Sequence, residues 1–173
     1  RDIVLTVFIF GTLPFILKMP WIGVLMSSWI SYMTPHKLAW GFSRGLPFAL
    51  VAAAVTMIAF MLSKEGKKGI PITRVTVMLF MFVFWTCVTT FFALSPGPAE
   101  VQWTNFMKIQ VLNLLALAMI TDKKRLNLLV GVIVFSFGFM AVKGGLFTVL
   151  TGGGSRVYGI GGFVADNNSL GLA

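Results

Sequence analysis

The sequence predicts an all-α fold, a polytopic transmembrane helical bundle with about five or six spans. Three observations predict it. Apolar residues make up 57% of the chain and charged residues 11%, well below the roughly 25% charged content of a soluble domain. The mean hydropathy is +0.91. The apolar residues also fall into long runs, parted by short connections rich in Gly, Pro or Lys/Arg. No internal repeat or low-complexity linker divides the chain, so residues 1–173 read as one membrane domain.

Residues 3–17 form the first apolar run, about 22 Å if helical. Residues 21–33 form a second. Each is short for a hydrocarbon core of roughly 30 Å, so the pair reads as a tight hairpin around Lys18-Met19-Pro20 or as one broken helix. The first run has no basic leader and no small-x-small exit, and Pro14 and Lys18-Met19-Pro20 end it. It is therefore not a cleavable signal. Residues 34–47 are polar and turn-rich. Residues 48–63 form an Ala/Val-rich span, with Pro47 at its start. Residues 64–69 are a compact basic loop. Residues 75–94 form a full-length span stopped by Ser95-Pro96-Gly97-Pro98. Residues 105–120 form the next span, with Lys108 near one end, and residues 121–125 a second basic loop. Residues 126–150 form the longest span, with Lys143 late in it. Residues 169–173 begin a further apolar helix, so the sequence reads as the N-terminal part of a longer polytopic protein.

The net charge of +9 does not indicate nucleic acid, because the cations lie between apolar runs and form no single basic face. They read as topology signals and contacts to membrane lipids. Lys64, Lys67, Lys68, Arg74, Lys123, Lys124 and Arg125 occupy one set of connections. Lys37, Arg44 and Arg156 occupy the other. The richer set is expected in the cytoplasm and the Arg156 segment on the opposite side. Trp21, Trp29, Trp40 and Trp103 fall near span ends, as an interfacial belt requires, while Trp85 is expected inside the bundle.

The segment from Gly152 to Ala173 breaks the helical pattern. It is glycine-rich, holds one arginine, Arg156, and then the cluster Asp166-Asn167-Asn168. A guanidinium is always charged and grips a diphosphate with two parallel hydrogen bonds. Glycines let backbone approach such a ligand closely. The plainer reading is a loop arginine on lipid phosphates. Asp166, Asn167 and Asn168 cap a following helix or, with its N-terminus, line an anion or sugar site. His36 is either a proton-transfer group or a hydrogen-bonded structural histidine. Lys108 and Lys143 either mark a charged cavity, since intramembrane charges are expensive, or, the favoured reading, snorkel from span ends; Asn105, Gln110 and Asn113 hold helices together; Cys87 packs in the interior. One cysteine and one histidine leave no internal disulfide and no metal site, and no cofactor is expected. No Asp-x-Asp pair and no Ser/His/Asp set is present.

The Arg156-Val-Tyr158-Gly segment, followed by Asp166-Asn167-Asn168-Ser-Leu-Gly-Leu-Ala173, resembles the O-antigen ligase and polymerase superfamily. Further motifs bring the chain nearest to the putative O-glycosylation ligases associated with the exosortase A system. They are Leu13-Pro14-Phe15, Pro20-Trp21-Ile-Gly23, Trp29-Ile-Ser-Tyr32, Pro35-His36-Lys37-Leu-Ala-Trp40-Gly-Phe42, Val142-Lys-Gly-Gly145 and Leu150-Thr-Gly-Gly-Gly154. One departure is Thr34, where many such proteins have Asn. The resemblance implies a multi-pass glycosyltransferase of a bacterial inner membrane. Its donor would be a polyprenyl-diphosphate-linked glycan and its acceptor a hydroxyl of a protein or lipid. Arg156 would hold the diphosphate in a periplasmic loop. Tyr158, Asp166, Asn167, Asn168 and His36 would line the site, and the catalytic histidine would lie later than residue 173. A polysaccharide polymerase of the same superfamily, or a transporter of the lipid-linked glycan, remains an alternative. A transporter would bring inverted repeats, and none is seen.

Overall fold

A computed structural model describes residues 2–38, 41–63 and 72–152. Among them every regular element is helical. Six α-helices follow in chain order: α1 Asp2–Lys18, α2 Pro20–Met33, α3 Phe48–Leu62, α4 Arg74–Phe91, α5 Pro96–Met119 and α6 Lys123–Leu150. The connection between α2 and α3 carries two short 3₁₀ turns, Pro35–Leu38 and Phe42–Gly45.

Several boundaries differ from those expected, each for a local reason. The first two runs are two helices parted by one residue. Met19 precedes proline, and the proline ring drives it out of the helical region to φ −134, ψ 84. Pro20 then opens α2, where its missing N–H costs nothing. Pro14 does not end α1; it lies inside it. Ser95-Pro96-Gly97-Pro98 ends α4 but also begins α5, because prolines are tolerated in a first turn whose N–H groups have no helical partner. Lys123, Lys124 and Arg125 are the first turn of α6, not a loop. α4 is capped by Thr73, whose Oγ1 accepts from the Thr76 N–H at 3.2 Å.

α2 is the hub. It packs against α1, α3, α5 and α6, and α4 is held mainly by α5. One apolar cluster joins Ile9 and Ile16 of α1, Met26 and Ile30 of α2, and Phe48, Ala52 and Ala59 of α3. A second joins Val24 of α2 to Leu115, Ala118 and Met119 of α5. Gly23 makes the closest approach. A Cβ there would lie 2.8 Å from Ile16 Cγ2 and 2.8 Å from Thr56 Cβ, and would overlap Thr56 Oγ1. The Thr56 hydroxyl is itself turned back onto the Ala52 carbonyl at 2.6 Å. Three helices can meet at this level because α2 carries no side chain there.

Aromatic contacts fix the directions of the helices. The Arg125 guanidinium lies 5.5 Å from the centre of the Trp21 ring, and Tyr32 meets Phe137 at 5.2 Å. Eleven residues along α2 thus match twelve along α6, so the two run parallel. The Phe82–Phe106 contact at 5.6 Å pairs α4 with α5 as an antiparallel hairpin. One end of the bundle therefore carries Lys18, Arg74, Lys123, Lys124 and Arg125, with Asp122 as its only described carboxylate. Among the described residues the other end carries Asp2 and Glu100 against Lys37, Arg44 and Lys143, a smaller excess of cations.

α4 and α6 are long and apolar enough to cross a membrane. At 1.5 Å per residue the 28 residues of α6 extend about 42 Å. Their outer faces are apolar and open: Val75, Met78, Met81 and Phe84 on α4, and Leu126, Val130, Val134, Val142 and Leu146 on α6, are all at least half exposed. Trp85, expected inside, is 63% exposed on the same surface, because among the described helices α5 is the main neighbour of α4.

Candidate functional site

Of the residues singled out in the sequence, His36 is described. Arg156, Tyr158, Asp166, Asn167 and Asn168 lie outside the described residues. His36 is positioned by the end of α2. Thr34 closes that helix in the left-handed conformation, φ 42, ψ 52, and its N–H donates to the Ile30 carbonyl at 3.0 Å. The chain reverses there. The Lys37 N–H then donates to the Thr34 carbonyl at 2.9 Å, closing the 3₁₀ turn that carries His36.

The imidazole stands 6.2 Å from the Phe48 ring, centre to centre. Its Nδ1 is buried and has no hydrogen-bond partner among the described residues, so a histidine pinned by a bond at that atom is not what the fold provides. Burial holds its pKa below the ordinary histidine range, and the neighbouring Lys37 charge adds to the effect. Near neutral pH the ring is thus in its uncharged form, the form that accepts a proton.

The connection around His36 is tied to α1 by a residue that sequence reasoning did not single out. Asp2 Oδ1 accepts from the Gly41 N–H at 3.1 Å, from the Ser43 N–H at 3.3 Å and from the Ser43 hydroxyl. Ser43 is fully buried. Its signal in the sequence is slight, a lone acid before an apolar run. Only the return of α2 beside α1 brings residues 41–43 within its reach.

α6 ends on the same side of the bundle, 13 residues past Phe137, its contact with Tyr32. Thr151 closes it, with its N–H on the Phe147 carbonyl at 3.0 Å, and Gly152 follows at φ +63. A left-handed residue here turns the chain away from the helix axis, and glycine takes that conformation without strain. The segment leading to Arg156 therefore leaves α6 at the end that holds His36 and Asp2, far from Arg125.

The other polar candidates divide. Lys108 and Lys143 are exposed, without an ion pair among the described residues. Lys108 is not at a helix end as expected, because α5 begins nine residues before Asn105. Asn105 and Asn113 are exposed and join no helices within the described bundle, whereas Gln110 is 8% exposed with Oε1 unpartnered. Cys87 is half-buried and free. No group of three or more His, Cys, Asp or Glu that could hold a metal ion occurs among the described residues.

In comparisons with known proteins, a family model described as a family of unknown function, DUF5935, matches residues 1–172. No curated protein and no solved structure matches.

Proposed function

The chain belongs to that family, and we propose that it is an integral membrane glycosyltransferase of the O-antigen ligase type. It would move a glycan from a polyprenyl-diphosphate carrier to an acceptor hydroxyl, with protein O-glycosylation the favoured outcome, on the periplasmic face of a bacterial inner membrane. The membrane part of this reading is supported by the open apolar faces of α4 and α6. An exposed apolar surface of that extent is unfavourable in water, and hydrocarbon accepts it without cost. Helices also satisfy their own backbone groups, which a bilayer requires.

The chemical part rests on one observation. The segment holding Arg156 departs from α6 at the cation-poor end, the end expected outside the cytoplasm. That is the side on which a ligase of this type meets its donor. The acceptor oxygen forms a bond to the anomeric carbon of the glycan while the bond from that carbon to the diphosphate oxygen breaks. The acceptor proton passes to a general base, which the resemblance assigns to a later segment of the chain. Negative charge grows on the leaving diphosphate, and a fixed guanidinium in a partly dehydrated site stabilises it.

Arg156→Ala is expected to lower glycan transfer by roughly several hundredfold, the order associated with losing one charge-stabilising donor. Arg156→Lys should restore only part of it, since a point charge replaces a fork. Transfer at the wild-type rate by a well-inserted Arg156→Ala protein would remove the assignment.

A further inference from the structure

We propose that the end of the bundle bearing Lys18, Lys123 and Lys124 is a docking surface for anionic lipid headgroups. The three lysines come from chain segments about a hundred residues apart, and Arg125 lies among the helix ends that carry them. Arg125 Nη1 donates to the Met119 carbonyl at 2.8 Å, closing α5. Its Nε lies 3.6 Å from Asp122 Oδ2, and its Cζ stands over the ring of Trp21 at 5.5 Å, three residues after Lys18. Arg125 is thus taken up in joining α2, α5 and α6. The lysines around it are exposed, and no carboxylate among the described residues pairs with them.

The placement of these charges is unfavourable without a partner. Lys123 and Lys124 occupy the first turn of α6, where the free N–H groups already carry partial positive charge. Lys18 adds to the same field, and Asp122, the only described acid at this end, is turned to Arg125. The opposite end has a smaller excess, with Asp2 and Glu100 set against Lys37, Arg44 and Lys143 among the described residues. The anion that relieves the excess is part of an amphipathic molecule. Leu126, Leu128 and Val130, at least half exposed, follow the lysines directly along α6, so acyl chains can lie along the helix while the headgroup meets the cations. The proposal rests on the bilayer reading of that surface and is independent of the transfer chemistry.

The test uses the full chain in an uncharged detergent. Binding of dioctanoyl phosphatidylglycerol, dioctanoyl phosphatidylcholine and inorganic phosphate is measured for the wild type and for the K18Q/K123Q/K124Q variant. Phosphatidylglycerol should bind selectively, and more weakly as salt rises. The triple variant should lose on the order of a hundredfold in affinity, at roughly fivefold for each lysine, with helix content unchanged. Should the triple variant misfold, Lys124→Gln alone should lose about fivefold, and Lys124→Arg should lose little. Equal binding of phosphatidylcholine, equal binding of inorganic phosphate, or undiminished phosphatidylglycerol binding by a folded variant each overturns the proposal. None of these outcomes bears on transfer by Arg156→Ala, so the two readings fail separately.

Discussion

Thr34 shows how one residue sets the entry to the candidate site. Its left-handed φ of 42 is uncommon for a β-branched side chain, whose Cβ crowds the following carbonyl. The fold accepts this because the reversal after α2 carries His36 back toward α1 and α3. Asparagine tolerates the same conformation better, as its short polar side chain bonds locally. On the proposed kinship with the ligases, many of which have Asn at this point, the left-handed geometry would give that preference a physical basis. Thr34→Asn is expected to stabilise the protein by about 1 kcal/mol, read as a higher unfolding midpoint in detergent; a midpoint unchanged or lowered would show that threonine sits there unstrained. His36 itself was legible as a candidate from its being the sole histidine. Its buried Nδ1 was not, since that depends on Phe48 and the turn around it.

Among the elements, α2 carries the most consequence for its length. Its 14 residues are too few to cross a bilayer as a straight span, and composition ranks it below α4 and α6. The fold places it at the centre instead. Gly23 is the reason it fits: Gly23→Ala is expected to force α2 away from α1 and α3 at a cost of about 1–3 kcal/mol, measured by thermal unfolding. Gly11 provides the comparison, because nothing lies within 4 Å of a Cβ built there. Gly11→Ala should leave stability unchanged or raise it. If the two substitutions behave alike, close packing at Gly23 is not what holds the three helices. The apolar runs marked most helix positions to within a few residues. They failed at the start of α5, where two prolines suit a first turn as well as a stop, and at the start of α6, where cations were taken for a loop.

For the whole molecule, the two ends of the bundle differ in charge, and that asymmetry should translate into sidedness. With Cys87 replaced by Ala, a single cysteine at position 37 is expected to react with an impermeant thiol reagent from outside intact spheroplasts. A cysteine at position 123 should react only after the membrane is opened. Reaction of both from one side would contradict the assigned orientation and, with it, the place given to Arg156. The helical, strongly apolar character of the chain was plain from composition. The sorting of its connections to two ends followed from alternation along the chain, and the parallel course of α2 and α6 agrees with that sorting.

By itself the sequence determined the class of the fold, most of its helices and the residues with chemistry worth testing. These depend on hydropathy, proline and glycine placement and side-chain type, all of which are local properties. Tertiary structure alone decided that a short helix is the hub, that Asp2 holds residues 41–43, and that Arg125 gathers three helix ends beside Lys18. Each of those depends on contacts between residues far apart in the chain, and no local pattern encodes the packing that brings them together.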